Sequence, residues 1–354
     1  MKQRPWMMTV VIAVLMAATC VLTSILIDRP IHDTEGFLGS AWIRLPLLII
    51  GAFAADVIPR SIWRGRSELR SYPDHARDVI AEHWDRKRTL LVVVGITTFY
   101  VTYISYRNLK GFLPFVESEN GRPKLYDRSL DRIDHWIFFG HAPATVLHDV
   151  LGTSFSAHFL SATYLIFLPM VPISIAIWAV WGPRVRDGYW FITAQCICWL
   201  LGTASYYALP TLGPALYGQF LPRFRDLPQT GVSRLQATIL DDRAAIYAFR
   251  ADGVQSVAGF ASLHVAITMM LALVGHYTLR PRWLRITLWA YAGITLVSTT
   301  YFGWHYISDD IAGAAIAIIA VYVAGIGTGQ TFDRTRITGA QKAEDSAEAA
   351  GISE

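Results

Sequence analysis

Stretches of about 20 consecutive apolar residues recur along this chain, and a helix of that length crosses a hydrocarbon layer roughly 30 Å thick. Lipid offers no water to backbone N–H and C=O groups, so such stretches can cross only as helices with every bond made internally. Eight are read, at about 8–27, 41–58, 89–106, 157–181, 189–209, 257–277, 286–302 and 309–327. Composition agrees: 53% of the 354 residues are hydrophobic and 16% charged, against roughly 45–50% and about 25% in soluble domains. The expected fold is all-α, a polytopic membrane bundle of about eight spans. The first stretch reads as a retained span, since its apolar region is too long for a signal peptide and no small-x-small cleavage site follows.

The net charge of +4 would suggest nucleic acid in a soluble chain, but here the cations flank the apolar stretches, and no nucleic-acid partner is expected. Arg60, Arg64, Arg66, Arg70, Arg77, Arg86, Lys87 and Arg88 lie between spans two and three. Arg184 and Arg186 lie between four and five, and Arg280, Arg282 and Arg285 between six and seven. Cytoplasmic loops carry such excess. Both termini are therefore expected in the cytoplasm, in a bacterial plasma membrane, with the loops at about 107–156 and 210–256 outside. Residues 1–88 form two spans and a basic loop, 89–327 a six-helix catalytic domain, and 328–354 a disordered cytoplasmic tail rich in Ala, Glu, Ser and Gly. In the first outer loop Leu130, Ile133, Trp136 and Ile137 recur at helical spacing beside Asp127, Arg128, Asp131 and Arg132, the pattern of a helix lying in the interface.

Ionisable groups at membrane depth are costly and mark function. Two groups of residues qualify. Ser262-Leu263-His264 opens span six, and Trp304-His305-Tyr306-Ile307-Ser308-Asp309 joins spans seven and eight. The loop charges alone put both on the outer side. His305 and Asp309 are four apart and, where the helix begins by His305, share one face, so the carboxylate can hold one ring nitrogen and leave the other basic and aimed. That is a nucleophile with its orienter, and phosphorus is a suitable electrophile. His264 would serve as general acid, and Ser262 could donate to a phosphoryl oxygen. Asp310 is a rival orienter at the poorer spacing of five.

Two histidines and carboxylates could also hold zinc or iron, but no His-x-x-x-His or Glu-x-x-His occurs among these residues, and neither metal nor cofactor is expected. His135, His141, His148 and His158 read as solvated or interfacial. Cys20, Cys196 and Cys198 lie inside apolar runs, which excludes a disulfide framework.

Ser-Leu-His at 262–264 followed by His-x-x-x-Asp at 305–309 resembles the type 2 phosphatidic acid phosphatase superfamily, and within it the inositol phosphotransferases related to inositol-phosphorylceramide synthase. In that branch Ser-Leu-His replaces the phosphatases' Pro-Ser-Gly-His. The resemblance takes in Asp134, Gly140 and Pro143 and the Leu209-Pro210-Thr211 stretch with Pro214, so it spans about 95–327. It implies a six-span phosphatase-like core, with the two N-terminal spans an addition. It also implies His305 as the nucleophile that takes the phosphoryl group, Asp309 as its orienter and His264 as the acid that protonates the leaving oxygen.

The departures carry information too. The phosphatase pattern Ser-Arg-x5-His would place Arg at 299, where this chain reads Ser298-Thr299, and Ala261 stands where the phosphatases have Pro. A phosphomonoester is nearly a dianion and calls for several cations, whereas a diester carries one charge and a bulky second substituent. Loss of Arg at 299 is thus expected to leave space for a head group. Arg107 and Lys110, at the outer end of span three, are the candidate phosphate-binding cations, with Arg223, Arg225 and Arg250 as rivals. The expected function is transfer of a phospho-head group, inositol phosphate in the first instance, from a phospholipid donor to a hydroxyl-bearing lipid or glycan acceptor. A lipid phosphate phosphatase and a proton-coupled transporter are the alternatives.

Overall fold

The computed structural model describes residues 4–33, 41–65, 72–116, 124–247, 259–330 and 332. These residues form twelve α-helices and no strand. The long ones are α1 (Met7–Leu26), α2 (Ala41–Arg64), α4 (Arg86–Val116), α7 (Phe155–Ala176), α8 (Val185–Ala208), α10 (Leu263–Thr278), α11 (Arg282–Tyr301) and α12 (Ile307–Thr328). A π-helical turn, Ile177–Trp181, prolongs α7. Shorter helices lie in the connections: α3 (Tyr72–His83), α5 (Asp127–Ile137), α6 (Pro143–Leu151) and α9 (Gly231–Tyr247).

Each of the eight expected stretches is a helix, but five are long and apolar enough to cross a membrane: α1, α2 from Ile43, α4, α7 with its π turn, and α12. These are the helices of an integral membrane protein. The other three differ for physical reasons. α10 opens at Leu263 and has 16 residues. α11 starts with Arg282 and Arg285. α8 is the central helix, packed on α1, α4, α10 and α12. It buries Asp187, Thr193, Gln195 and Thr203 along with Trp190 and Phe191, so it is not held to the apolarity that a lipid-facing helix needs.

Hydrogen bonds between the helices fix their relative direction. At one end the Tyr207 hydroxyl donates to Leu109 O, the Ser205 hydroxyl to Phe260 O, and Ser262 N–H to Asp309 O. At the other end Trp178 Nε1 donates to Thr278, Arg88 to Ala179 O, and Gln330 to Asp187. The carboxyl ends of α4, α8 and α11 thus meet the amino ends of α7, α10 and α12. The charge-rich connections with Arg60, Arg64, Arg184, Arg186 and Arg282 lie at the opposite end. The tail from 333 onward lies outside the described residues.

In α5 the apolar stripe is split between two environments: Asp127, Leu130 and Asp134 form the face buried in the protein. Trp136 is 83% exposed, and Phe139, just past the helix, 93%. Two acids seven residues apart share a face with the leucine between them, and that face meets a loop with free N–H groups rather than water.

Candidate active site

The turn from Phe302 to Tyr306 carries His305, the candidate nucleophile. Asp309, at the third position of α12, accepts from Tyr306 N–H at 3.1 Å, which caps the helix, and from His305 Nδ1 at 3.2 Å. With Nδ1 donating, Nε2 keeps its lone pair. His305 is buried, and that burial, followed by the nearby Lys110 ammonium, pushes its imidazole down to about 3, so the ring is neutral. His264, in the first turn of α10, faces it with ring centroids 6.3 Å apart. Tyr164 stacks on His264 at 4.4 Å, and Phe167, one turn on in α7, packs against the same ring at 4.2 Å. Trp304 stacks in turn on Tyr164. The two imidazoles therefore stand across a gap beside a fixed aromatic wall.

Helix α5 holds the turn from above. Asp134 accepts from Ile307 N–H at 2.8 Å and from Ser308 N–H and hydroxyl at 3.2 Å, which satisfies donors at the start of α12 that the helix itself leaves open. Asp127 accepts from Leu212 and Gly213 N–H and from the Tyr306 hydroxyl. Burial pushes both carboxyls up while these hydrogen bonds pull them down. Gly213 has φ +84°, and a Cβ there would stand 2.2 Å from Trp304 O. Only glycine lets the loop from α8 pass so close to the turn.

A family model described as the PAP2 superfamily matches residues 128–323, more than half of the chain. The chain belongs to the PAP2 superfamily. No curated protein and no solved structure matches it. The superfamily points to a phosphatase or a phosphotransferase, and the matched segment runs from α5 to α12 with both histidines inside it.

Against that membership the expected cations sort themselves. Lys110 is the one whose charge acts on both His264 and His305. It lies over the rings of Tyr106 and Tyr206 and within 3.5 Å of the Tyr106 hydroxyl. Arg107, one turn earlier, reaches the Tyr103 hydroxyl at 3.5 Å. Both precede the matched segment. Arg223 is bound to Asp131 of α5 at 2.6 Å and covers the Phe220 ring. Arg225 is exposed, and Arg250 lies outside the described residues.

Ser262 and position 299 also differ from expectation. Ser262 is fully buried as the N-cap of α10, its hydroxyl accepting from Val265 N–H. Thr299 is fully buried and bonded to Asp310, so the space expected from the missing arginine is taken by that contact. Asp310 consequently faces away from His305. Ala261 has φ +64°, a conformation closed to proline, whose ring fixes φ near −65°. The phosphatases' proline could not occupy this backbone. The sequence reading missed Asp127, Tyr306 and Tyr164 as parts of the site. Only the seven-residue interval from Asp127 to Asp134, two acids on one helix face, signalled any of it. Among the described residues no three His, Cys, Asp or Glu side chains converge as a metal site.

Proposed function

We propose that the chain is a lipid phosphotransferase that moves a phospho-head group, inositol phosphate from a phosphatidylinositol donor, to a hydroxyl acceptor through phosphohistidine. The observation that carries this reading is the Asp309-held His305 facing His264 across 6.3 Å. His305 Nε2 attacks phosphorus, the bond to the diacylglycerol oxygen breaks, and His264 gives that oxygen its proton. The acceptor hydroxyl then returns a proton to His264 as its oxygen displaces His305. Lys110, with Arg107 behind it, offsets the phosphoryl charge, and Ser262 supports the loop that presents His264. A single close ammonium suits a diester better than a dianionic monoester.

The cation-rich end is assigned to the cytoplasm, which puts both termini inside and the site at the extracytoplasmic face of a bacterial plasma membrane. In the same reading residues 1–88 are an N-terminal addition, 89–327 the catalytic unit and 328–354 a tail. The test is to incubate purified protein with labelled phosphatidylinositol and hydroxyl acceptors, lipid and glycan. A new labelled diester supports transfer. Release of free inositol phosphate or phosphate without one makes the protein a phosphatase or hydrolase. Proton-coupled flux without covalent phosphate would make it a transporter.

A further inference from the structure

Three helices meet at a carboxylate that the reaction above does not touch. Asp310 is 1% exposed. Thr299 Oγ1 lies 3.0 and 3.2 Å from its two oxygens, and Thr300 donates to Oδ2 at 3.0 Å. The Ser262 hydroxyl is a third contact. The hydrogen-bond partners of the Asp310 carboxylate among the described residues are thus hydroxyls, and a carboxylate buried on hydroxyls alone is an expensive way to fill space.

What it joins explains the expense. Ser262 caps α10 two residues before His264. Thr299 and Thr300 close α11 and lead into the turn with His305, and Asp310 follows Asp309 in α12. A second tie runs alongside, Ser262 N–H donating to Asp309 O at 2.9 Å. Gly313 keeps the two helices close, since a Cβ there would stand 2.4 Å from Ser262 O.

We propose that Asp310 is a positioning residue that sets the separation of His264 and His305, an inference that rests on the phosphotransfer reading. Attack needs Nε2 about 3–3.5 Å from phosphorus with the leaving oxygen in line, and a misplacement of about 1 Å costs on the order of 10²-fold in rate. A joint that binds the helix of the acid to the helix of the nucleophile controls that distance. Charge is not what the joint needs. An asparagine would accept from Thr300 through its oxygen and donate to Thr299 Oγ1 through its amide, freeing the Thr299 proton for Leu296 O, which lies 2.7 Å away.

The experiment compares Asp310→Ala, Asp310→Asn and the milder Thr300→Val in detergent micelles, with phosphatidylinositol as donor. Expected is a fall in kcat of about 30- to 100-fold for Ala with KM within threefold, and of about three- to tenfold for Thr300→Val. Asn should keep at least a third of wild-type kcat. A second readout needs no turnover: in ¹⁵N-histidine-labelled protein the His264 and His305 ring signals should move in Asp310→Ala and stay in Asp310→Asn. If Asn is as inactive as Ala, the charge matters and the proposal is wrong. If Ala lowers only the melting temperature, with kcat and ring signals unchanged, Asp310 is merely structural. If wild type turns over no phospholipid, the phosphotransfer reading fails, while the ring signals still decide whether Asp310 positions the pair.

Discussion

The Tyr306 hydroxyl donates to the Asp127 carboxylate at 3.0 Å across 179 residues of sequence, which fastens α5 to the turn that carries His305. The same carboxylate takes two N–H groups from the loop after α8, and Asp134 takes two from α12. The turn that carries His305 is therefore held from outside the bundle by one short helix.

Removing the phenol tests that hold. A hydrogen bond to a buried charged group contributes about 1.5–3 kcal/mol, so Tyr306→Phe should lower the melting temperature in detergent measurably. It should also reduce kcat, because Tyr306 N–H and the His305 ring share the Asp309 carboxylate. A variant with unchanged melting and turnover would mean that α5 merely covers the site.

Asp309→Asn keeps the side-chain volume and should cost turnover far more than stability; His305→Ala removes a buried ring and should lower both, turnover the more. Loss of the nucleophile should cost at least about 10³-fold, and loss of its orienter about 10²- to 10⁴-fold. Rapid quenching with labelled donor should trap acid-labile phosphate on the wild type and none on His305→Ala. Wild-type rates in His305→Ala would refute the nucleophile assignment.

The pH profile follows from the burial of His305. An imidazole lowered to about 3 is neutral, and so nucleophilic, at every pH above that value. Protonation of His305 should therefore cause no loss of kcat between pH 7 and pH 5, the range in which an ordinary imidazole would gain a proton. Lys110→Met removes the neighbouring cation and should shift the acid limb of the residual activity upward. A wild-type acid limb near pH 6.5 that coincides with the NMR titration of the His305 ring would contradict this.

Ala261 stores backbone strain at φ +64° just before the Ser262 cap. A left-handed conformation costs a non-glycine residue roughly 1–2 kcal/mol. Ala261→Gly should raise the melting temperature, and Ala261→Pro should prevent folding or displace His264. Calorimetry with activity on both variants decides it; a well-folded, active proline variant would show that this loop has another conformation.

Sidedness is checked with cysteines at exposed positions, since native Cys20, Cys196 and Cys198 are all buried. In intact cells an impermeant maleimide should label Phe139→Cys. Arg282→Cys should react only after lysis. The reverse pattern would move the active site to the cytoplasm.

The sequence by itself determined the helical architecture, because lipid permits little else for long apolar stretches, and it singled out His305 and Asp309 as a candidate pair, whose side chains meet at 3.2 Å although the helix begins only at Ile307. It offered both Lys110 and Arg107 as cations and could not say that the Lys110 charge is the one that acts on both histidines. Tertiary structure decided that Asp127 and Asp134 turn inward and Trp136 outward, that α8 among the expected spans is the central one, and that Thr299 meets Asp310 rather than open space. Helical periodicity tells which side chains share a face. What that face meets depends on contacts between segments far apart in the chain, and no local pattern encodes those.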